Sequence, residues 1–208
     1  MNVERIEIRN MNFSYQETKV YKTDLNLSLE RGYIYLIRGK NGSGKSTLAG
    51  IMLKIWNDFQ GTILLSGKNL REFSREEITQ EIGICFQKPP IFRDTVRNNI
   101  SLGEDVNVEA AISLLSFDKD LKEMGRTLES ELIDIGSISG GQAQKIGIIR
   151  TVCRKHSIYI FDEPTSNLDS SSKKEFYTML KALKKESIII LFSHEPEADE
   201  YVDFTIQI

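Results

Sequence analysis

Three hydrophobic rhythms follow one another along the chain. In the first thirty residues apolar and polar positions alternate: Ile6 and Ile8 flank Glu7, and Leu25, Leu27 and Leu29 are separated by Asn26 and Ser28. A period of two places the apolar residues on one face of a strand, so short, half-buried antiparallel strands are predicted here. Further on, residues 33–37, 82–86, 158–161 and 188–192 form short, nearly continuous apolar runs. Strands covered on both faces have that pattern, and such strands belong to a parallel sheet. Between the runs lie helical spacings: Leu48, Ile51, Met52 and Ile55 keep i, i+3, i+4, i+7, as do Phe176, Met179, Leu180 and Leu183. Strands alternating with helices predict a doubly wound α/β core. The stretch 89–139 breaks the alternation with helix-like patterns, one of them over 108–115 behind an Asn107 N-cap, and predicts a helical insertion.

Composition narrows this picture only a little. A chain of 208 residues has room for one compact domain, and 40% apolar with 27% charged residues is the mix of a folded globular protein. A net charge of -3, with acidic and basic residues interspersed, offers no broad positive surface for a phosphate backbone, so nucleic acid is not an expected partner. Cys85 and Cys153 stand far apart among apolar residues and are expected as buried, reduced thiols. The longest apolar runs hold five residues against the ~20 a membrane-crossing helix needs. The first seven residues contain no apolar core of a signal peptide, so a cytosolic setting is expected.

The chemistry begins where the run 33–37 ends. Gly39-Lys40-Asn41-Gly42-Ser43-Gly44-Lys45-Ser46-Thr47 satisfies the P-loop pattern in its proper setting, after a strand and before a helix starting near Lys45. Glycines let backbone N–H groups turn inward around phosphates, and the helix start adds a favourable dipole. Lys45 supplies a fixed positive charge, and the Ser46 hydroxyl suits Mg²⁺, a cation that prefers hard oxygen ligands. The run 158–161 ends in Asp162 and Glu163, which places one carboxylate near a metal and the next toward an attacking water. Twenty residues before Asp162 stands Ser139-Gly140-Gly141-Gln142 at the start of a predicted helix over about 142–153, where exposed N–H groups suit an anion.

Ile138-Ser139-Gly140-Gly141-Gln142 resembles the signature motif of the ABC ATPase family, usually written with Leu at the place of Ile138. The other family elements occur in the family's order. Tyr15 resembles the aromatic that stacks on adenine, and Gln87 the glutamine that reaches metal and water and links to the transmembrane partner. Ser166-Asn167-Leu168-Asp169 resembles the loop that communicates across the dimer, with Asp169 also a sensible N-cap. His194 resembles the switch histidine that senses the γ-phosphate. The chain departs from the family at Ala143, where many relatives carry a basic residue, and at Ile149, where Ala is usual. Its helical insertion is also shorter than in many exporter modules, and it stops at Ile208 where relatives generally continue.

The resemblance implies a P-loop NTPase core with a mainly parallel sheet, an N-terminal antiparallel β subdomain and a helical insertion over about 89–150 that bears the signature, all within one nucleotide-binding domain over 1–208. It implies ATP and Mg²⁺ as cofactors. Lys45, Gln87, Glu163 and His194 would be catalytic, Ser46, Gln87 and Asp162 would hold the metal, and Tyr15, the loop from Gly39 to Thr47 and Ser139 to Gln142 would bind nucleotide. It also implies a head-to-tail pair of such domains, with Ser139 and Gly141 acting in trans, and transmembrane partners that place the chain on the cytoplasmic face of a membrane. Residues 86–100, around Thr95, Val96, Arg97, Asn99 and Ile100, resemble the corresponding stretch of exporter modules, as does the acidic, glycine-containing pair Asp134 and Gly136. Export is therefore the leading expectation. A soluble ABC ATPase of DNA repair or translation is the alternative, set back by the absence of a heptad run, a tandem repeat or a basic stripe. A small-molecule P-loop kinase comes last, because it would leave residues 138–142 unexplained.

Overall fold

The computed structural model describes residues 2–133, 136 and 138–208. The chain divides into two compact units: Met1–Gly83, His156–Ile160 and Lys181–Ile208 form the first, and Ile84–Lys155 with Phe161–Leu180 the second.

The first unit opens with β1 (Arg5–Asn12), a small hairpin of β2 (Ser14–Tyr15) and β3 (Thr18–Lys19), and β4 (Leu25–Glu30). After β5 (Ile34–Arg38) and α1 (Lys45–Met52) come β6 (Gln60–Leu65), β7 (Lys68–Asn69) and α2 (Arg75–Glu81). One sheet has the order β4-β1-β6-β7 and is antiparallel, with Ile6 opposite Leu29 and Leu65, and Ile8 opposite Leu27 and Ile63. The alternation of the sequence is the cause, since Ile6, Ile8, Leu29, Ile63 and Leu65 all turn to the buried side.

The second sheet runs β11-β5-β10-β9-β8, built from β8 (Ile82–Cys85), β9 (Ile158–Asp162), β10 (Ile188–Phe192) and β11 (Phe204–Gln207) around β5. β5 is parallel to β10 on one side and to β11 on the other. The strand ends of β8 and β9 pass into the second unit. Every residue of β10 is fully buried, as its unbroken apolar sequence requires. Truncating the middle of that strand, Ile190→Ala, should lower the unfolding free energy by about 2–5 kcal/mol in a urea titration. A loss below ~1 kcal/mol would mean that the strand is not the packed centre of this unit.

The second unit carries α3 (Val96–Ser101), α4 (Val108–Ser113), α5 (Phe117–Glu123), α6 (Gly140–Val152) and most of α7 (Ser170–Leu183). Its core gathers Val96, Ile100, Val108, Leu115, Phe117, Leu132, Ile146 and Ile149, with Phe161 edge-on to Phe176 at 5.3 Å. Residues 89–139 hold helices, turns and one isolated bridge, Thr95 to Glu131, among the described residues.

Three helix limits differ from the sequence expectation, each for a local reason. α1 stops at Met52, three residues before Ile55, because Lys54 enters the left-handed region (φ 56°) and the Ile55 and Trp56 amides fold back on the Gly50 carbonyl. Ile55 is consequently exposed. α4 ends at Ser113, not Leu115, where a turn leads to a left-handed Ser116 (φ 47°). α6 begins at Gly140 instead of Gln142, because Ser139 caps it. Cys153, expected buried, is half-buried, whereas Cys85 is buried and its thiol is pushed up to about 12 by loss of water. Both cysteines are free.

Candidate functional site

In the first unit β5 delivers the chain into Gly39, and α1 starts at Lys45, so the loop from Gly39 to Gly44 bridges a strand end and a helix start. Such a helix start leaves backbone amides without intrahelical partners, the natural seat of an anion. Gly42 (φ 81°) and Gly44 (φ 100°) both occupy the left-handed region, which glycine enters at no steric cost. The Lys45 side chain is buried and its ammonium donates to the Gly39 carbonyl at 2.7 Å and the Lys40 carbonyl at 3.4 Å. It also lies 3.2 Å from Nε2 of His194. An ammonium can only donate, so the tautomer with Nε2 as acceptor is the one that completes this contact as a hydrogen bond. The structure thus brings Lys45 and His194, 149 positions apart, to one point.

Ser46 is exposed on the first turn and Thr47 is buried. The Tyr15 hydroxyl reaches the Thr47 hydroxyl at 3.3 Å, and its ring, 46% exposed, stands edge-on to Phe13 at 4.8 Å and to Trp56 at 5.6 Å. Tyr15 is therefore fixed at its tip and along its edges while nearly half its surface stays open, the condition for a stacking platform. Trp56 supports it although no motif in the sequence pointed there. A cavity of about 690 Å³ runs along Val20, Tyr21, Lys22 and the loop residues Gly39 to Ser43.

In the second unit Asp162 ends β9 half-buried, and Glu163 follows in the left-handed region (φ 47°), unusual for a residue with a Cβ. That backbone turn re-aims Glu163 away from the line of the strand. The Glu163 carbonyl accepts from the Ser166 amide at 3.4 Å and hydroxyl at 3.0 Å, which closes the turn. Asp169 then caps α7: its carboxylate accepts from the Ser172 amide at 2.8 Å and hydroxyl at 3.0 Å, and the amide bond holds its pKa below the usual carboxylate range. Gln87 sits exposed in the bend after β8.

Ser139 and Gln142 form a reciprocal capping box at the start of α6. The Gln142 amide donates to the Ser139 hydroxyl at 3.2 Å, and the Ser139 amide donates to Gln142 Oε1 at 2.9 Å. The spacing Ser-x-x-Gln announces this box and sets the true helix start, a signal the motif reading passed over. Gly140 and Gly141 follow at the surface, and a Cβ on Gly141 would stand 2.7 Å from the Asn167 carbonyl. Only glycine allows the loop with Asn167 to approach α6 this closely. Of the exporter-like pair, Gly136 is exposed and Asp134 lies outside the described residues.

Among the described residues no three His, Cys, Asp or Glu side chains cluster as a metal cage. One hydroxyl (Ser46), one carboxylate (Asp162) and one amide oxygen (Gln87) are instead the kinds of donor suited to Mg²⁺, which takes most of its ligands from phosphate and water.

A strand, a glycine loop closing on a helix start and a buried lysine at its centre define a P-loop nucleotide-binding protein. The family model of the ABC transporter matches residues 22–166, and the chain belongs to that family. It is 33% identical over 198 residues to an ATP-dependent lipid A-core flippase of Syntrophus aciditrophicus, covering 92% of this chain and 32% of that protein. It is likewise 33% identical to a probable ABC transporter ATP-binding/permease protein of Haemophilus influenzae, covering 100% of this chain and 38% of that one. The chain thus spans about a third of the length of the curated relatives it matches. A solved bacterial Atm1-family ABC exporter with ATP bound superposes with a TM-score of 0.92 at 24% identity, over 100% of this chain and 37% of that one, which establishes the shared fold. No described helix is long and apolar enough to cross a membrane.

Proposed function

We propose that this chain binds MgATP and hydrolyses it in a head-to-tail pair of copies, and so powers export across a membrane through transmembrane partners. The observation that carries this reading is the combination, in one chain, of a lysine-centred glycine loop at one helix start with a second helix start opened by two glycines. The capping box occupies the Ser139 and Gln142 side chains and leaves the Gly140 and Gly141 backbone at an accessible helix end. Two such surfaces on each copy suit a triphosphate gripped from both sides by two copies.

In this reading the loop amides and Lys45 hold the phosphates, and Tyr15 carries the adenine. Ser46, Asp162 and Gln87 would hold Mg²⁺, which when bound neutralises phosphate charge. Glu163 would orient and deprotonate the attacking water, His194 would contact the γ-phosphate, and Ser139 and Gly141 would meet the ATP of the other copy. Support for transport comes from relatives named as a flippase and as an ATP-binding/permease protein. Both names favour a membrane transporter over the repair or translation alternative. The place of action would be the cytoplasmic face of a membrane, with the transmembrane segments in the same polypeptide or in a separate one.

The pairing is tested by hydrolysis per mole of chain against protein concentration. The rate per mole should climb with concentration and level off as pairs form, and EDTA should abolish it. A rate per mole that stays constant down to concentrations at which the chain sediments as a monomer would overturn the paired site. Transport is tested by fractionating native cells with an antibody to this domain: the polypeptide should appear with membranes, and a wholly soluble one would remove the exporter reading.

A further inference from the structure

We infer that Tyr21 is a positioning residue of the phosphate loop, which locks the Gly44–Lys45 peptide so that the Lys45 amide faces the bound phosphates. The inference rests on the ATP-binding reading above and adds to it a residue that belongs to none of its motifs.

Tyr21 follows the β2–β3 hairpin and is 3% exposed, although it lies beside the surface residues Lys22 and Thr23. Its backbone is held by Asn12, itself buried, whose side-chain amide donates to the Tyr21 carbonyl at 3.3 Å and to Asp24 at 2.8 Å. From that anchored position the Tyr21 hydroxyl donates to the Gly44 carbonyl at 2.8 Å. The same carbonyl accepts the Leu48 amide, the first bond of α1, at 2.8 Å. Both lone pairs of the oxygen are engaged by donors fixed in the fold.

A trans peptide is planar, so its N–H points opposite to its C=O. Fixing the Gly44 carbonyl from two sides therefore fixes the Lys45 N–H, one of the first-turn amides that has no intrahelical partner. Gly44 needs such a lock because its φ of 100° gives it access to conformations that a residue with a Cβ would not sample. The Tyr21 ring supplies a second restraint: a Cβ on Gly44 would run into Tyr21 Cε1 and come within 2.6 Å of a Val20 methyl, so ring and methyl pack directly on this turn. Burial holds the phenol far above its usual pKa, so it remains a protonated donor across the working pH range. An amide that is already aimed needs no ordering when phosphate arrives, and preorganised donors bind anions more tightly than mobile ones.

The test is Tyr21→Phe, which removes the hydroxyl and keeps the ring. Affinities of the whole chain for ATP, ADP and AMP are measured by displacement of a fluorescent ADP. ATP and ADP, whose outer phosphates need the aimed amide, should bind about 3- to 10-fold more weakly, and AMP should change less than about twofold. In ¹⁵N spectra the Lys45 amide should move and exchange faster with solvent, while amides of the antiparallel sheet stay in place. Unchanged ATP affinity, or equal weakening for AMP and ATP, would overturn the positioning role. If Tyr21→Phe does not fold by circular dichroism, Tyr21→Leu is measured in its place against the same two outcomes. A native chain that binds none of these nucleotides would sink the ATP-binding reading itself, an outcome separate from a native-like variant.

Discussion

Glu163→Gln is expected to bind MgATP within about twofold of the native chain and to hydrolyse it at least about a hundredfold more slowly. The substitution exchanges a carboxylate for an amide of the same size, so the shape of the turn after β9 is preserved. What disappears is the negative charge and the capacity to take a proton from water, the contribution of a positioned general base. The expectation depends on where the fold puts this residue. The strand ends at Asp162 and the next residue turns into the left-handed region, held by Ser166 donating twice to the Glu163 carbonyl. A non-glycine residue kept in that conformation stores strain, which persists only where the surroundings enforce it. The measurement pairs equilibrium nucleotide binding with phosphate release. A second readout separates chemistry from assembly: with hydrolysis blocked and binding intact, ATP should shift the variant toward pairs on a sizing column. Turnover near the native rate would remove Glu163 from the mechanism, and loss of ATP binding would assign it to the architecture of the loop.

The parts of the fold legible in the sequence were those in which packing and pattern agree. β10 is buried along its full length, and its five unbroken apolar residues announce nothing else. The P-loop was legible because its glycines meet a backbone demand that few other residues satisfy. Less visible were elements at an edge. β11 pairs with β5 on one side only, and its Phe204 and Gln207 are exposed, so no continuous run marks it. α2 has seven residues, too few for a helical period, and only the reciprocal cap of Ser74 and Glu77 betrays its start.

Within the site the same division holds. Lys45, Asp162 and Glu163 stand in motifs whose spacing is set by the chemistry. Tyr21 and Trp56 stand in no motif and act on the P-loop and on Tyr15 from a distance in sequence, through a hydroxyl on the Gly44 carbonyl and an edge against the Tyr15 ring. Contacts of this kind depend on the register of separate segments, which no local pattern encodes.

The same distinction between local motif and assembled contact governs the effect of Lys45→Ala, which should weaken MgATP binding by about 10- to 100-fold. A hydrogen bond to a charged group contributes roughly 1.5–3 kcal/mol, and each 1.4 kcal/mol is a factor of ten in affinity. The ammonium sits at the centre of the loop, donating to the Gly39 and Lys40 carbonyls and to His194, and it is buried enough that salt screens it little. A phosphate entering the loop takes over at least one of these donor directions, so the native contacts keep the cation in place while they compete for it. In Lys45→Ala the carbonyls of Gly39 and Lys40 lose their donor and stand near the incoming phosphate, adding repulsion between like partial charges to the lost attraction. His194 loses the same partner. His194→Ala should accordingly weaken binding far less than Lys45→Ala, since it removes an acceptor of the lysine and leaves the positive charge. Isothermal titration of both variants with ATP decides the matter: equal losses would make the histidine contact, not the charge, the source of affinity, and no loss in Lys45→Ala would contradict the phosphate role of the loop.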